Sequence, residues 1–147
     1  MDLAPLIALA KQYEGLHKAG PDGLVYPYIC PAGYPTQGYG HLVKDMGVPP
    51  ITIAQANEWL EKDVMVSLSQ TLALCPNLTG NRLLAITDFT FNLGSGRLKA
   101  STLRRKILAE EWDEVPEQLM RWVRGGGRVL PGLVARRTAE VALWGKK

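Results

Sequence analysis

The segment Tyr28-Ile29-Cys30-Pro31-Ala32-Gly33-Tyr34-Pro35-Thr36-Gln37-Gly38-Tyr39-Gly40-His41-Leu42, with Glu14-Gly15 upstream of it, decides the reading of this chain. Glycine, proline and tyrosine crowd residues 20–43, so helix is implausible there, and short strands are expected at Val25–Ile29 and Gln37–Leu42. Turns are expected at Pro21-Asp22-Gly23 and Pro31-Ala32-Gly33. Before this ribbon, Leu6, Leu9, Ala10, Tyr13 and Leu16 recur at helical spacing over residues 3–17. Glu14 then falls in the last turn of that helix, where the macrodipole disfavours negative charge. A carboxyl group fixed at a helix end, facing a turn-rich ribbon, suits acid chemistry.

Beyond the ribbon the pattern is helical. Thr52 with Gln55 three residues on reads as a capping box. Ala56, Trp59, Leu60, Val64, Leu68 and Leu72 continue as one stripe to about Leu74, and Pro76 stops it. Thr79 is a second candidate cap, ahead of a dense apolar helix through Leu83, Leu84, Ile86, Phe89 and Phe91 that ends at 92–96. Ser101 or Thr102 caps a helix at Leu103–Ala109. Further helices are expected at Glu111–Val123 and Leu133–Trp144, with Gly125-Gly126-Gly127 breaking the chain between them. The sum is an α+β protein: a small β-lobe, a larger helical lobe and a cleft between them, as one domain over residues 1–147.

Composition narrows the class. The net charge is +3, and residues 101–147 hold ten Lys/Arg against six Asp/Glu. This mildly basic surface favours an acidic partner without choosing one. The pairs Arg104-Arg105 and Arg136-Arg137 read first as a solvated helix face, and no nucleic-acid motif accompanies them. Cys30, Cys75, His17 and His41 lack metal-ligand spacing. No run approaches a membrane span and no export signal is evident, so synthesis in the cytoplasm with reduced thiols is expected.

Single residues of the ribbon are ambiguous. Cys30 alone reads as a small buried residue, and His41 alone as a structural hydrogen-bonding histidine. In combination they are specific. Glu14-Gly15, then Cys30 with Thr36, then Gly38-Tyr39-Gly40-His41-Leu42, resembles the T-even type of phage lysozymes and endolysins, glycoside hydrolase family 24. Phe91-Asn92-Leu93-Gly94, Ser101-Thr102-Leu103-Arg104-Arg105, Arg121-Trp122-Val123 and Leu130-Pro131-Gly132-Leu133 extend the resemblance along nearly the whole chain.

The resemblance implies hydrolysis of the β-1,4 bond between N-acetylmuramic acid and N-acetylglucosamine in bacterial peptidoglycan, without a cofactor. Glu14 would be the general acid, Cys30 the second catalytic residue (usually Asp) and Thr36 the holder of the attacking water. Leu42, Phe91, Asn92 and Thr102 would line the glycan cleft. It implies a monomer that does not insert into membranes, made in the host cytoplasm and released to the wall through a holin. Two departures stand out. Fifteen residues separate Glu14 from Cys30, where the family has eight. Asp22 is therefore a rival for the second position, although it sits in a Pro-Asp-Gly turn and loses the spacing to Thr36. Inverting hydrolysis also uses two carboxylates, and a thiol is a poor substitute for one. A lytic transglycosylase working with one glutamate, or a non-catalytic wall-binding module, are the alternatives.

Overall fold

The computed structural model describes residues 1–146. Helix α1 spans Ala4–Glu14. Asp2 accepts a hydrogen bond from the Ala4 backbone at 2.9 Å, which satisfies one free amide of the first turn. The helix stops at Gly15, whose φ of +70° an L side chain resists. Glu14 is thus the last helical residue.

The β-lobe is built from very short strands. β1 (Leu24–Val25) pairs antiparallel with β5 (Ile51–Thr52), setting Val25 against Ile51. β2 (Tyr28–Ile29), β3 (Pro35–Gln37) and β4 (His41–Leu42) form a separate antiparallel sheet in the order β2-β3-β4. The strand expected at Val25–Ile29 is therefore split. Tyr26-Pro27 turns the chain between sheets, and Pro27 has no N–H for a ladder. The strand expected at Gln37–Leu42 is a hairpin whose turn is Gly38-Tyr39-Gly40, with φ of +68° at Gly38 and +84° at Gly40. The buried Gln37 amide donates to Val25 O at 2.9 Å and Pro49 O at 3.1 Å, tying the two sheets together.

The capping box closes as expected. Thr52 Oγ1 accepts from the Gln55 backbone at 3.1 Å, and Gln55 Oε1 accepts from the Thr52 backbone at 2.9 Å. It starts α2, Ile53–Leu74. α3, Gly80–Leu93, follows Thr79, whose side chain makes no capping bond. α3 is the centre of the molecule. Leu83 through Thr90 are all buried, and the helix packs on α1, α2 and α7 (Pro131–Trp144). Each fully buried Leu, Ile or Phe here contributes roughly 1.5–3 kcal/mol.

The C-terminal third differs from its reading in three places. α3 ends within 92–96 as expected, but the chain re-enters helix at once as α4, Ser95–Ala100, directly after Gly94. α5, Thr102–Leu108, is capped by Ser101, whose Oγ accepts from the Arg104 backbone at 3.0 Å. The helix expected at Glu111–Val123 is a 3-10 turn, Trp112–Glu114, and the short α6, Val115–Leu119, with Pro116 in its first turn. Pro116 has no N–H to carry an upstream helix through this point. The glycine run forms a hairpin of β6 (Arg124–Gly125) and β7 (Arg128–Val129). The α+β class, a small β-lobe beside a larger helical lobe, is as the sequence reads.

Candidate active site

Glu14 stands where the lobes meet, with a quarter of its side chain exposed. On one side is a recess of about 570 Å³ lined by Tyr13, Glu14, His17, Tyr28, Cys30, Thr36, Gly40 and Leu42, among others. On the other is a recess of about 480 Å³ lined by Tyr13, Glu14, Asn92, Leu130–Leu133 and Arg136. Glu14 and Tyr13 face both. A groove of about 700 Å³ beneath residues 1–11 lies away from Glu14 and gathers no comparable set of reactive groups.

Backbone chemistry sets the first recess. A Cβ on Gly40 would lie 3.4 Å from Glu14 Oε2, so a residue without one lets the hairpin turn approach the carboxyl. His17 Nε2 donates to the Glu14 carbonyl at 2.9 Å, and its ring packs on Tyr28 at 4.9 Å. The Tyr28 phenol is pushed up by burial and by the nearby Glu14 and Cys30.

Cys30 follows β2 in a tight turn closed by its own amide on Tyr34 O at 3.0 Å. Its thiol is held below the ordinary range, chiefly by the Tyr34 backbone amide. Burial opposes this, and the Thr36 hydroxyl and the Ala32 and Gly33 amides add to it. Thr36 is buried, and its hydroxyl donates to Tyr34 O at 2.9 Å. That single proton can turn instead to a Cys30 thiolate. Cys75 is remote in the core, its thiol pushed up to about 11 by burial, and both cysteines are free.

Asp22 is occupied elsewhere. It accepts hydrogen bonds from Tyr26 and from the Leu24 amide, which hold its carboxyl below the ordinary carboxylate range, and it lines neither recess beside Glu14. His41 Nδ1 lies 2.8 Å from Asp63 Oδ2, with its ring on Trp59. The other sequence candidates divide. Leu42 lines the first recess and Asn92 the second. Phe91 packs against the helical core with Arg136 over its ring at 6.0 Å. Thr102 lies in another recess with Arg105, Lys106, Ala109 and Glu111.

The pair Arg136-Arg137 corrects the sequence reading. Neither residue is solvated, with Arg136 at 3% and Arg137 at 0% exposure. Arg136 Nε and Nη2 each donate to Asp88 at 2.9 Å, and Nη1 donates to Glu14 Oε1 at 3.1 Å. Arg137 Nη2 donates to Glu140 Oε2 at 2.9 Å and Asn92 Oδ1 at 2.7 Å. Burial pushes Glu140 well above the carboxylate range, and a hydrogen bond with Asp88 adds to this. Burial opposes the Asp88 charge, but the Glu140 bond and then Arg136 outweigh it and hold Asp88 low. These effects favour the proton on Glu140 and the charge on Asp88. A buried charge without a partner is costly. The Asp within the apolar stripe Leu83–Phe91 was thus a sign in the sequence that a cation must reach the core.

An α+β fold with a carboxyl group at the junction of its lobes is the arrangement of the lysozyme class of glycoside hydrolases. The phage lysozyme family model matches residues 11–140, and the chain belongs to that family. It is 35% identical over 144 residues to an endolysin of Acyrthosiphon pisum secondary endosymbiont phage 1, covering 94% of this chain and 93% of that one. It is 35% identical over 136 residues to a SAR-endolysin of Bacteriophage PS119, covering 87% and 80%. The solved endolysin from Escherichia coli O157:H7 phage FAHEc1 superposes with a TM-score of 0.80 at 26% identity, covering 99% of this chain and 94% of that one.

Proposed function

We propose that this protein is an endolysin, a muramidase that hydrolyses the β-1,4 bond between N-acetylmuramic acid and N-acetylglucosamine of bacterial peptidoglycan at host lysis. The observation that carries the reading is Glu14, fixed on a helix end at the edge of a recess shared with Cys30 and Thr36. Glu14 delivers a proton to the leaving glycosidic oxygen. Water attacks the anomeric carbon. Cys30, as thiolate, takes the proton of that water, and the Thr36 hydroxyl orients it. The amides around the Cys30 sulfur, which favour its thiolate, support this assignment over Asp22. We read the chain as glycoside hydrolase family 24 of the T-even type, with one catalytic domain over residues 1–147, acting as a monomer on the wall without inserting into the membrane.

Mass spectrometry of fragments released from purified peptidoglycan tests the reaction. Reducing N-acetylmuramic acid ends are expected. Ends lighter by one water, the 1,6-anhydro form, would make the protein a transglycosylase, and no fragments would make it a binding module.

The thiol makes its own prediction. Cys30→Ala is expected to lose roughly 10²-fold in rate, the low end for removing a general base. Cys30→Asp is expected to keep substantial activity. A base works deprotonated, so activity falls as pH drops through its titration. Asp titrates well below even a lowered thiol, so this acid-side fall moves to lower pH in Cys30→Asp. Parent-like activity in Cys30→Ala would remove Cys30 from the mechanism. Access to the wall is assigned to a holin, with synthesis in the host cytoplasm. Lysis on co-expression with a holin, and none without it, is the expected result.

A further inference from the structure

We propose that Asp88 is a positioning residue for Glu14: by taking two of the three hydrogen bonds that Arg136 makes, it leaves Glu14 a single guanidinium contact, so that the carboxyl can hold the proton it delivers. The inference rests on Glu14 as the general acid. An acid catalyst beside an arginine is in conflict with itself, because the cation favours the carboxylate. Arg136 is buried and has Glu14 within hydrogen-bond reach, so the conflict is built into this site. Asp88 resolves it by geometry. It faces Nε and Nη2 in the two-pronged arrangement that matches a guanidinium fork, while Glu14 receives one longer bond from Nη1.

The groups around Glu14 come from every neighbouring element. Arg136 reaches it from α7, with Arg137 and Glu140 behind on the same helix and Asp88 from α3. Tyr28 and Cys30 face it from the β-lobe, and His17 binds its carbonyl. Asp88 is the carboxylate that offsets Arg136 directly, through both of its oxygens. In Asp88→Asn the whole Arg136 charge is directed at Glu14.

The test is the pH profile of kcat/KM on peptidoglycan for Asp88→Asn beside the parent and Glu14→Gln. Activity of an acid catalyst falls as pH rises through its ionisation. A stronger hold on the carboxylate moves that alkaline-side fall to lower pH, here by roughly 1 unit or more, the size an unshared arginine gives a carboxylate. Asp88→Ser, smaller and neutral, carries the same expectation should Asp88→Asn fold poorly. Glu140→Gln alters a carboxyl group bonded to Arg137, behind Arg136, and should leave the fall where it is. A uniform loss of activity with an unmoved profile in the Asp88 variants would make Asp88 merely structural and overturn the inference. A shift in Glu140→Gln as large as that in Asp88→Asn would overturn it too. An active Glu14→Gln would instead overturn the reading of the site beneath it.

Discussion

Glu14→Gln should lower the rate of peptidoglycan cleavage by about 10²–10⁴-fold, the range removed with a general acid. The amide keeps the size of the side chain and can still accept from Arg136 Nη1, now 3.1 Å from Glu14 Oε1. It cannot deliver a proton to the leaving oxygen. Binding to insoluble peptidoglycan should persist, because Leu42, Asn92 and the recess walls are untouched. Turbidity decrease of a wall suspension reads the rate, and co-sedimentation reads the binding. Parent-like lysis by Glu14→Gln would remove the general acid from this site. Loss of both lysis and binding, with the fold intact by circular dichroism, would make Glu14 a binding residue only.

Legibility in the sequence followed the range of the interactions. Thr52 and Gln55 cap α2 through bonds three residues apart, so that start is visible locally. Glu14 at the end of α1 is equally local, because Gly15 stops the helix next to it. The β-lobe was visible only as a region. Its strands are two or three residues long, too short for alternation to show, and β1 finds its partner β5 far along the chain. The site was half legible for the same reason. Cys30 and Thr36 lie in one hairpin and keep their spacing. Arg136 reaches Glu14 across 122 residues and Asp88 across 48, which no local pattern records. The pair Arg136-Arg137 read as solvent-facing because charge alone favours solvent. The contrary signal was Asp88 inside a stripe of Leu, Ile and Phe.

Arg136→Met should cost about 3–5 kcal/mol of folding stability, the usual result of removing one partner from a buried pair. Asp88, fully buried, would lose both of its guanidinium bonds and keep only the Glu140 hydrogen bond. For a chain of this size the thermal midpoint should fall by roughly 10 °C or more, read by circular dichroism melting. A fall of only a degree or two would mean that the network is open to water. The network titrates in two opposite senses. Asp88 is held low, so its contribution is present above the ordinary carboxylate range and lost as pH falls through its lowered value. Glu140 is raised, so the stability of its protonated form is present at low pH and lost as pH rises towards the raised value. Hydrophobic replacements of buried ion pairs are often neutral or favourable, so Arg136→Met combined with Asp88→Leu should recover most of the loss in the single variant. That double variant should still fail on peptidoglycan, because nothing then orients Glu14. Recovery of the melt without recovery of the rate would assign the buried charges to the cleft, and the apolar faces of α1, α2, α3 and α7 to the fold.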